Sequence, residues 1–142
     1  MAFGGFDHVD MRVAALGVVE RFYDELAQRL GLTEKRYANV EPGGAAWRDG
    51  TPEAHNAVEY YEGVPAGRPA AFFGVIEETG AQPARSRVAF TVAKESLDEW
   101  ERVLPEIGAR EVERERDEAY PAVFFTDPLG TRLEVCARSS RT

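Results

Sequence analysis

The chain has 142 residues, of which 44% are hydrophobic and 30% are charged. These values are typical of a globular domain with a sizeable core. The formal net charge is −8 at pH 7 and the basic residues are scattered, which argues against nucleic acid or an anionic membrane surface as a partner. The single cysteine, Cys136, excludes an internal disulfide and a zinc ribbon. No apolar run approaches about 18 residues and the start does not resemble a signal peptide, so we expect one cytoplasmic domain over residues 1–142.

Hydrophobic periodicity predicts a strand, a helix and three further strands in the first half of the chain. Alternation with period two marks the strand over residues 6–13 and places His8 on its polar face. Apolar residues at helical spacing follow over 16–30, and Gly31 is suited to end that helix. Three short strand-like runs, separated by loops with glycine or proline, follow at 35–40, 58–61 and 70–76.

The second half repeats this order. It begins with a strand over 87–92 and continues with a helix over 97–107, for which Ser96 is a candidate N-cap. Pro105 is expected to kink or end the last turn of that helix. The sequence DPLG at 127–130 has the signature of a type I turn. The closing strands are predicted at 110–116, 122–126 and 131–137.

The repeated order predicts the fold class. Arg87 follows His8 by 79 residues at the same place in the pattern, which indicates duplication of one unit. Strands that follow a helix as a run favour an α+β fold over a doubly wound parallel sheet. We therefore predict two βαβββ modules, at about 5–80 and 84–139.

Three tracts resemble the vicinal oxygen chelate superfamily, which contains glyoxalases, bleomycin resistance proteins and extradiol dioxygenases. They are FDHVDMRVAALGVVERFYDELAQRLGL, SRVAFTVAKESLDEWERVLPEIGAREVE and YPAVFFTDPLGTRLEVCA, in chain order. The resemblance implies tandem modules whose mixed sheet curls around a cleft. That cleft holds a small molecule and often a divalent metal in members of the superfamily. The resemblance also implies a homodimer.

For metal-containing members, the resemblance implies a ligand on the first strand and the last strand of each module. His8 stands at the first of these positions and Glu134 at the last. Arg87 stands at the first-strand position of the second module, and arginine has no lone pair for a metal. The fourth position falls on Gly74 or Val75, which supply no carboxylate.

These positions predict a cleft without metal or other cofactor. Arg87 is expected to take the place of the metal and to pair with Glu134, with His8 nearby. Tyr61 and Trp47 lie in the variable stretch of the first module and are candidates to line the pocket. The predicted function is binding of a small anionic or carbonyl-bearing molecule by these five residues.

Two alternatives stay open. One is a lyase, isomerase or dioxygenase that uses one divalent metal such as Mn, Fe, Ni or Zn, held by His8 and Glu134. Its third ligand is unassigned, and the candidates are Glu77, Glu78 and His55. The other alternative is metal-free catalysis, in which Arg87 acts electrostatically and His8 is a general base.

Several candidates also have a simpler interpretation. His55 lies in the polar sequence TPEAHNA and is expected to be exposed to solvent. Trp100 falls at the apolar spacing of the second helix, which predicts a core position. Cys136 is expected to be a small apolar filler of the last strand.

Overall fold

The computed structural model describes residues 1–44 and 46–139. The described chain has the predicted α+β architecture, and it divides into two compact units between Gln82 and Pro83. Each unit contains one mixed sheet and one α-helix. No helix in the described ranges is long and apolar enough to cross a membrane.

The first module has one strand more than predicted. Its elements are β1 (His8–Val13), α1 (Leu16–Leu30), β2 (Glu34–Val40), β3 (Trp47–Asp49), β4 (Ala57–Tyr61) and β5 (Phe72–Glu77). The sheet order is β1-β5-β4-β2-β3, in which only the β1–β5 pair is parallel. The unpredicted strand, β3, pairs with the sheet edge at β2. Three residues are too few for an alternating pattern to be read from sequence.

Helix α1 has the predicted bounds. Gly31 ends the helix with φ 79°, a left-handed conformation that suits glycine. Its backbone N–H donates to the carbonyls of Ala27 and Gln28 in the last turn. The buried side chains Val19, Phe22 and Leu26 recur at helical spacing and cover one face of the sheet. At the other end, the side chain of Glu77 accepts a hydrogen bond of 2.9 Å from the Leu16 backbone N–H.

The second module has the predicted βαβββ order. Its elements are β6 (Arg87–Thr91), α2 (Leu97–Glu106), β7 (Arg110–Glu115), β8 (Ala122–Thr126) and β9 (Arg132–Cys136). The sheet order is β6-β9-β8-β7, with β6 and β9 parallel. The turn between β8 and β9 is closed by a 3.0 Å bond from the Gly130 N–H to the Asp127 carbonyl.

Helix α2 differs from its prediction at the N-terminus. Ser96 makes no capping bond, because its hydroxyl instead donates to the Ala93 carbonyl at 2.6 Å in a preceding 3₁₀ turn. Pro105 lies in the last turn, and the helix ends one residue later at Glu106. Trp100 is buried beneath the helix as predicted, with 6% of its surface exposed.

Each sheet has one face covered by the helix of its module. We call the opposite face the helix-free face. In β9, Leu133 and Val135 are buried on the helix side, whereas Glu134 and Cys136 belong to the helix-free face. The side chains alternate in the same way along β1. The predicted candidates therefore lie on strands that present a polar face.

Candidate functional site

The helix-free face of the second sheet brings Arg87 and Glu134 to the same side. Arg87 is opposite Arg132 in the β6–β9 register, and Glu134 is two residues further along β9. Phe124 of β8 is opposite Glu134. Because directly opposite residues share a face, these side chains form one surface within the second module.

The predicted ion pair between Arg87 and Glu134 is not formed. The Arg87 guanidinium lies over the ring of Phe124, 4.5 Å from its centroid. Glu134 instead accepts a hydrogen bond of 2.5 Å from the hydroxyl of Tyr120. The long arginine side chain reaches across β9 to β8, and this reach cannot be inferred from strand register.

Tyr120 is a site residue that the sequence pattern does not predict. It precedes β8 in a turn, outside any alternating pattern, and only the tertiary structure brings its hydroxyl to β9. Glu134 is 4% exposed, so this charge-assisted bond partly replaces the water that the carboxylate has lost. The hydrogen bond to Glu134, together with burial and the negative charge, raises the pKa of Tyr120 to about 12.

A pocket of about 570 Å³ opens on this face of the second module. Its volume lies in the range of small-molecule sites. Arg132 contributes one guanidinium nitrogen, Nη1, to a 2.9 Å bond with the Arg85 carbonyl. The pocket is lined by Arg87, Glu111, Val112, Glu113, Phe124, Phe125, Thr126, Gly130 and Arg132.

A β-bulge shapes one wall of this pocket. The register between β7 and β8 shifts between Arg110 and Glu113. Glu111 lies in the bulge with φ 51°, a left-handed backbone conformation that is unusual for a residue other than glycine. Such a conformation costs roughly 1–2 kcal/mol in a residue other than glycine. The wall therefore carries local strain at the pocket.

Substituting glycine for Glu111 is expected to stabilise the protein by about 1 kcal/mol, because glycine adopts the left-handed conformation without strain. Urea denaturation followed by circular dichroism measures the change. The matched control is Glu113→Gly, which places glycine at a regular strand position and is expected to destabilise by about 0.5–1 kcal/mol. Equal effects of the two substitutions would contradict the strain at Glu111.

The helix-free face of the first sheet carries a row of stacked planar groups. His8 stacks on Phe72 with ring centroids 4.6 Å apart, and Phe72 stacks on Tyr61 at 4.4 Å. The Arg36 guanidinium lies 4.2 Å from the centre of the Tyr61 ring. The row crosses β1, β5, β4 and β2. The predicted residues His8 and Tyr61 thus lie on one surface of the first module.

His8 is accessible and carries acidic neighbours. Its side chain is 43% exposed, and its Nδ1 lies 2.7 Å from the Asp7 carboxylate. The hydrogen bond with Asp7 raises the pKa of His8, and the charge of Asp10 adds to this against the effect of burial. Gly74 lies beside Asp10, and a Cβ on this glycine would be 2.7 Å from Asp10 Oδ1. The position where the resemblance implies a carboxylate is therefore a glycine that makes room for Asp10.

The remaining candidates lie elsewhere in the first module. Trp47 is opposite Val40 on the edge strand β3 and is 43% exposed. Glu77 caps α1, as described above. The prediction that His55 is exposed is wrong: its side chain is 11% exposed, and Nε2 lies 2.9 Å from the Glu20 carboxylate. The polar loop folds onto α1, and sequence polarity alone does not reveal such a contact.

The described residues do not fit the divalent metal that the resemblance implies for some members. Arg87 offers no lone pair, and Oε1 of Glu134 already accepts the Tyr120 hydroxyl. Within residues 1–44 and 46–139, no three His, Cys, Asp or Glu side chains are gathered as a metal site requires. Binding without a metal remains a prediction.

Two modules, each a mixed sheet with a helix on one face, define the glyoxalase fold. The chain is similar to a glyoxalase/bleomycin resistance protein from Albidiferax ferrireducens, with 23% identity and TM-score 0.60 over 94% of this chain and 98% of that chain. It is similar to a putative glyoxalase family protein from Bacillus anthracis, with 19% identity and TM-score 0.58 over 98% of both chains.

A fosfomycin resistance protein, FosX, from Listeria monocytogenes has the same fold. It is 17% identical to this chain, with TM-score 0.60 over 97% of this chain and 95% of that chain. That structure is a complex with Mn(II) and a dihydroxypropylphosphonic acid. Neither a family model nor a curated protein matches the chain. At these identities the comparisons show the fold alone, and they confirm the predicted resemblance at that level.

Proposed function

We propose that this protein binds a small molecule with an anionic group, and that Arg87 and Arg132 of the second module hold that group. The proposal rests on the absence, among the described residues, of carboxylate partners for the two guanidinium groups that line the pocket. Neither forms an ion pair with a carboxylate in the part of the chain that the structure describes. Their positive charge is therefore available to a ligand.

The position of Arg87 over Phe124 favours recognition of a planar or tetrahedral anion. Cζ of Arg87 lies over the Phe124 ring, 4.5 Å from its centroid. The guanidinium carries five N–H donors in its plane, along its edge. A carboxylate or a phosphonate accepts two parallel hydrogen bonds from such an edge. The complex of FosX with a phosphonic acid is consistent with this ligand class on the same fold.

The test is a titration of the protein with 4-methylbenzoate and with methylphosphonate, followed by NMR chemical shifts. Arg87→Gln is expected to weaken binding at least tenfold, because a charge-assisted hydrogen bond contributes about 1.5–3 kcal/mol and tenfold corresponds to about 1.4 kcal/mol. Arg102→Gln, on the exposed side of α2, is the matched control and is expected to bind as the wild type does. The proposal would be refuted if the Arg87→Gln variant bound the anions as tightly as the wild type does. It would also be refuted if neutral 4-methylbenzamide bound as tightly as 4-methylbenzoate.

The alternative is a metal-dependent enzyme of the lyase, isomerase or dioxygenase type, although the described residues of this chain gather no three metal-ligating side chains. The Mn(II) in the FosX structure is the observation that favours it. Elemental analysis of the purified protein and thermal unfolding with added Mn(II) distinguish the two proposals. A stoichiometric metal, or a melting temperature that rises at micromolar Mn(II), supports the metal-dependent alternative.

A further inference from the structure

The pocket of the second module carries charges of both signs on opposite walls. Arg87 and Arg132 come from β6 and β9, whereas Glu111 and Glu113 come from β7. Strand β7 is at the other edge of the sheet from β6. Phe124 forms the floor between the two walls, since it contacts Arg87 and is opposite Glu113 in the β7–β8 register.

The acidic wall, like the basic wall, is not neutralised within the module. Neither Glu111 nor Glu113 forms an ion pair with a cationic side chain among the residues described. Other charged residues around β7 do have partners on α2: Arg114 lies 3.4 Å from Asp98, and Arg116 lies 3.3 Å from Glu101. The residues directed toward the helix are paired, whereas those that line the pocket are not.

The separation of the two walls explains why they do not neutralise each other. Neighbouring strands lie about 4.8 Å apart, so β6 and β7 are roughly 14 Å apart at their backbones. Arg87 reaches as far as Phe124 but stops short of an ion pair with Glu113. A ligand between the walls thus meets guanidinium N–H donors on one side and carboxylate acceptors on the other.

We propose that the ligand of this pocket is a zwitterion, in which an ammonium group is bound by Glu113 and Glu111 while the anionic group is bound by Arg87 and Arg132. This inference rests on the proposed function for the anionic half and adds the cationic half. An anion that lacks the ammonium leaves the two carboxylates uncompensated. The acidic wall then selects against simple anions by repulsion and for molecules that carry both charges.

The experiment compares probes that differ in the ammonium group alone. The pairs are 4-(aminomethyl)benzoate with 4-methylbenzoate, and aminomethylphosphonate with methylphosphonate. The aminated member of at least one pair is expected to bind tenfold or more tightly to the wild type. Glu113→Gln is expected to abolish that preference and to leave the affinity for the simple anions equal or higher. Glu59→Gln, which changes a carboxylate of the first module, is the matched control and retains the preference.

The outcomes separate the two proposals. If simple anions bind through Arg87 but amination gives no gain in either pair, the zwitterion is wrong and the proposed function stands. If the preference persists in Glu113→Gln, the acidic wall does not bind the ammonium and the inference is likewise overturned. If none of the four probes binds at millimolar concentration, the proposed function and this inference both fail. Circular dichroism of each variant confirms that the fold is retained.

Discussion

Replacing Lys35 with methionine is expected to lower the free energy of unfolding by about 2–3 kcal/mol. The Lys35 ammonium lies 2.8 Å from both the Glu20 and the Asp24 carboxylates of α1. The Lys35 and Glu20 side chains are only about one fifth exposed, so solvent screens the pair less than it screens a surface salt bridge. Methionine keeps most of the apolar stem but leaves Glu20 and Asp24 without this cation. Urea denaturation of the two proteins measures the difference.

The control for this substitution is Lys94→Met. Lys94, the other lysine of the chain, is exposed in the 3₁₀ turn before α2. Its replacement is expected to change the free energy of unfolding by no more than about 0.5 kcal/mol. Equal effects of the two substitutions would show that Lys35 does not hold α1 to the sheet.

The pH dependence of the Lys35 effect follows from the shifted groups. Burial raises the pKa of Glu20, but the hydrogen bonds with Lys35 and His55 outweigh it, so the pKa is lowered overall. A lowered carboxylate pKa contributes stability that is present above the unfolded pKa and is lost as pH falls through the folded one. The difference between wild type and Lys35→Met should therefore be constant near neutral pH and shrink below the ordinary glutamate value of 4.5.

Replacing Tyr120 with phenylalanine is expected to destabilise the protein by about 1–2 kcal/mol, because the buried Glu134 carboxylate loses a charge-assisted hydrogen bond. Ionisation of the Tyr120 phenol near pH 12 changes the ultraviolet absorbance of the wild type, and this change should be absent from Tyr120→Phe. Glu134→Gln should keep that phenol but shift its titration toward the ordinary value of 10. Together, the two variants assign the shift to the contact between Tyr120 and Glu134.

The hydrogen bond between Tyr120 and Glu134 loses its contribution to stability as pH rises, whereas the contribution of Glu20 is lost as pH falls. The folded pKa of Tyr120 lies above its unfolded value, so the contribution is complete below pH 10 and is lost as pH rises through about 12. Tyr61→Phe is the control, since the Tyr61 hydroxyl makes a longer bond of 3.2 Å to Glu59, a carboxylate that is less buried than Glu134. If Tyr120→Phe is no more destabilising than Tyr61→Phe, the hydrogen bond from Tyr120 does not stabilise the buried Glu134 carboxylate.

The sequence by itself determined the local structure and much of the architecture. Apolar residues at period two and at period 3.6 predicted both α-helices and eight of the nine strands that the structure describes, because burial of one face imposes those periods. The end of α1 at Gly31 and the turn at DPLG were also predictable, since the backbone conformations at these positions favour particular residues. The repeated order, together with the family resemblance, gave the two-module fold.

Only the tertiary structure decided which side chains meet. The period of a strand places Arg87 and Glu134 on one face, but the length and torsions of the arginine side chain carry it to Phe124. Contacts from turns have no periodic signature, so the Tyr120 bond to Glu134 and the burial of His55 against Glu20 were not evident in the sequence. The bulge that sets Glu111 beside the pocket depends on the register between β7 and β8. Periodicity specifies a face, whereas the partners on that face depend on residues distant in the chain.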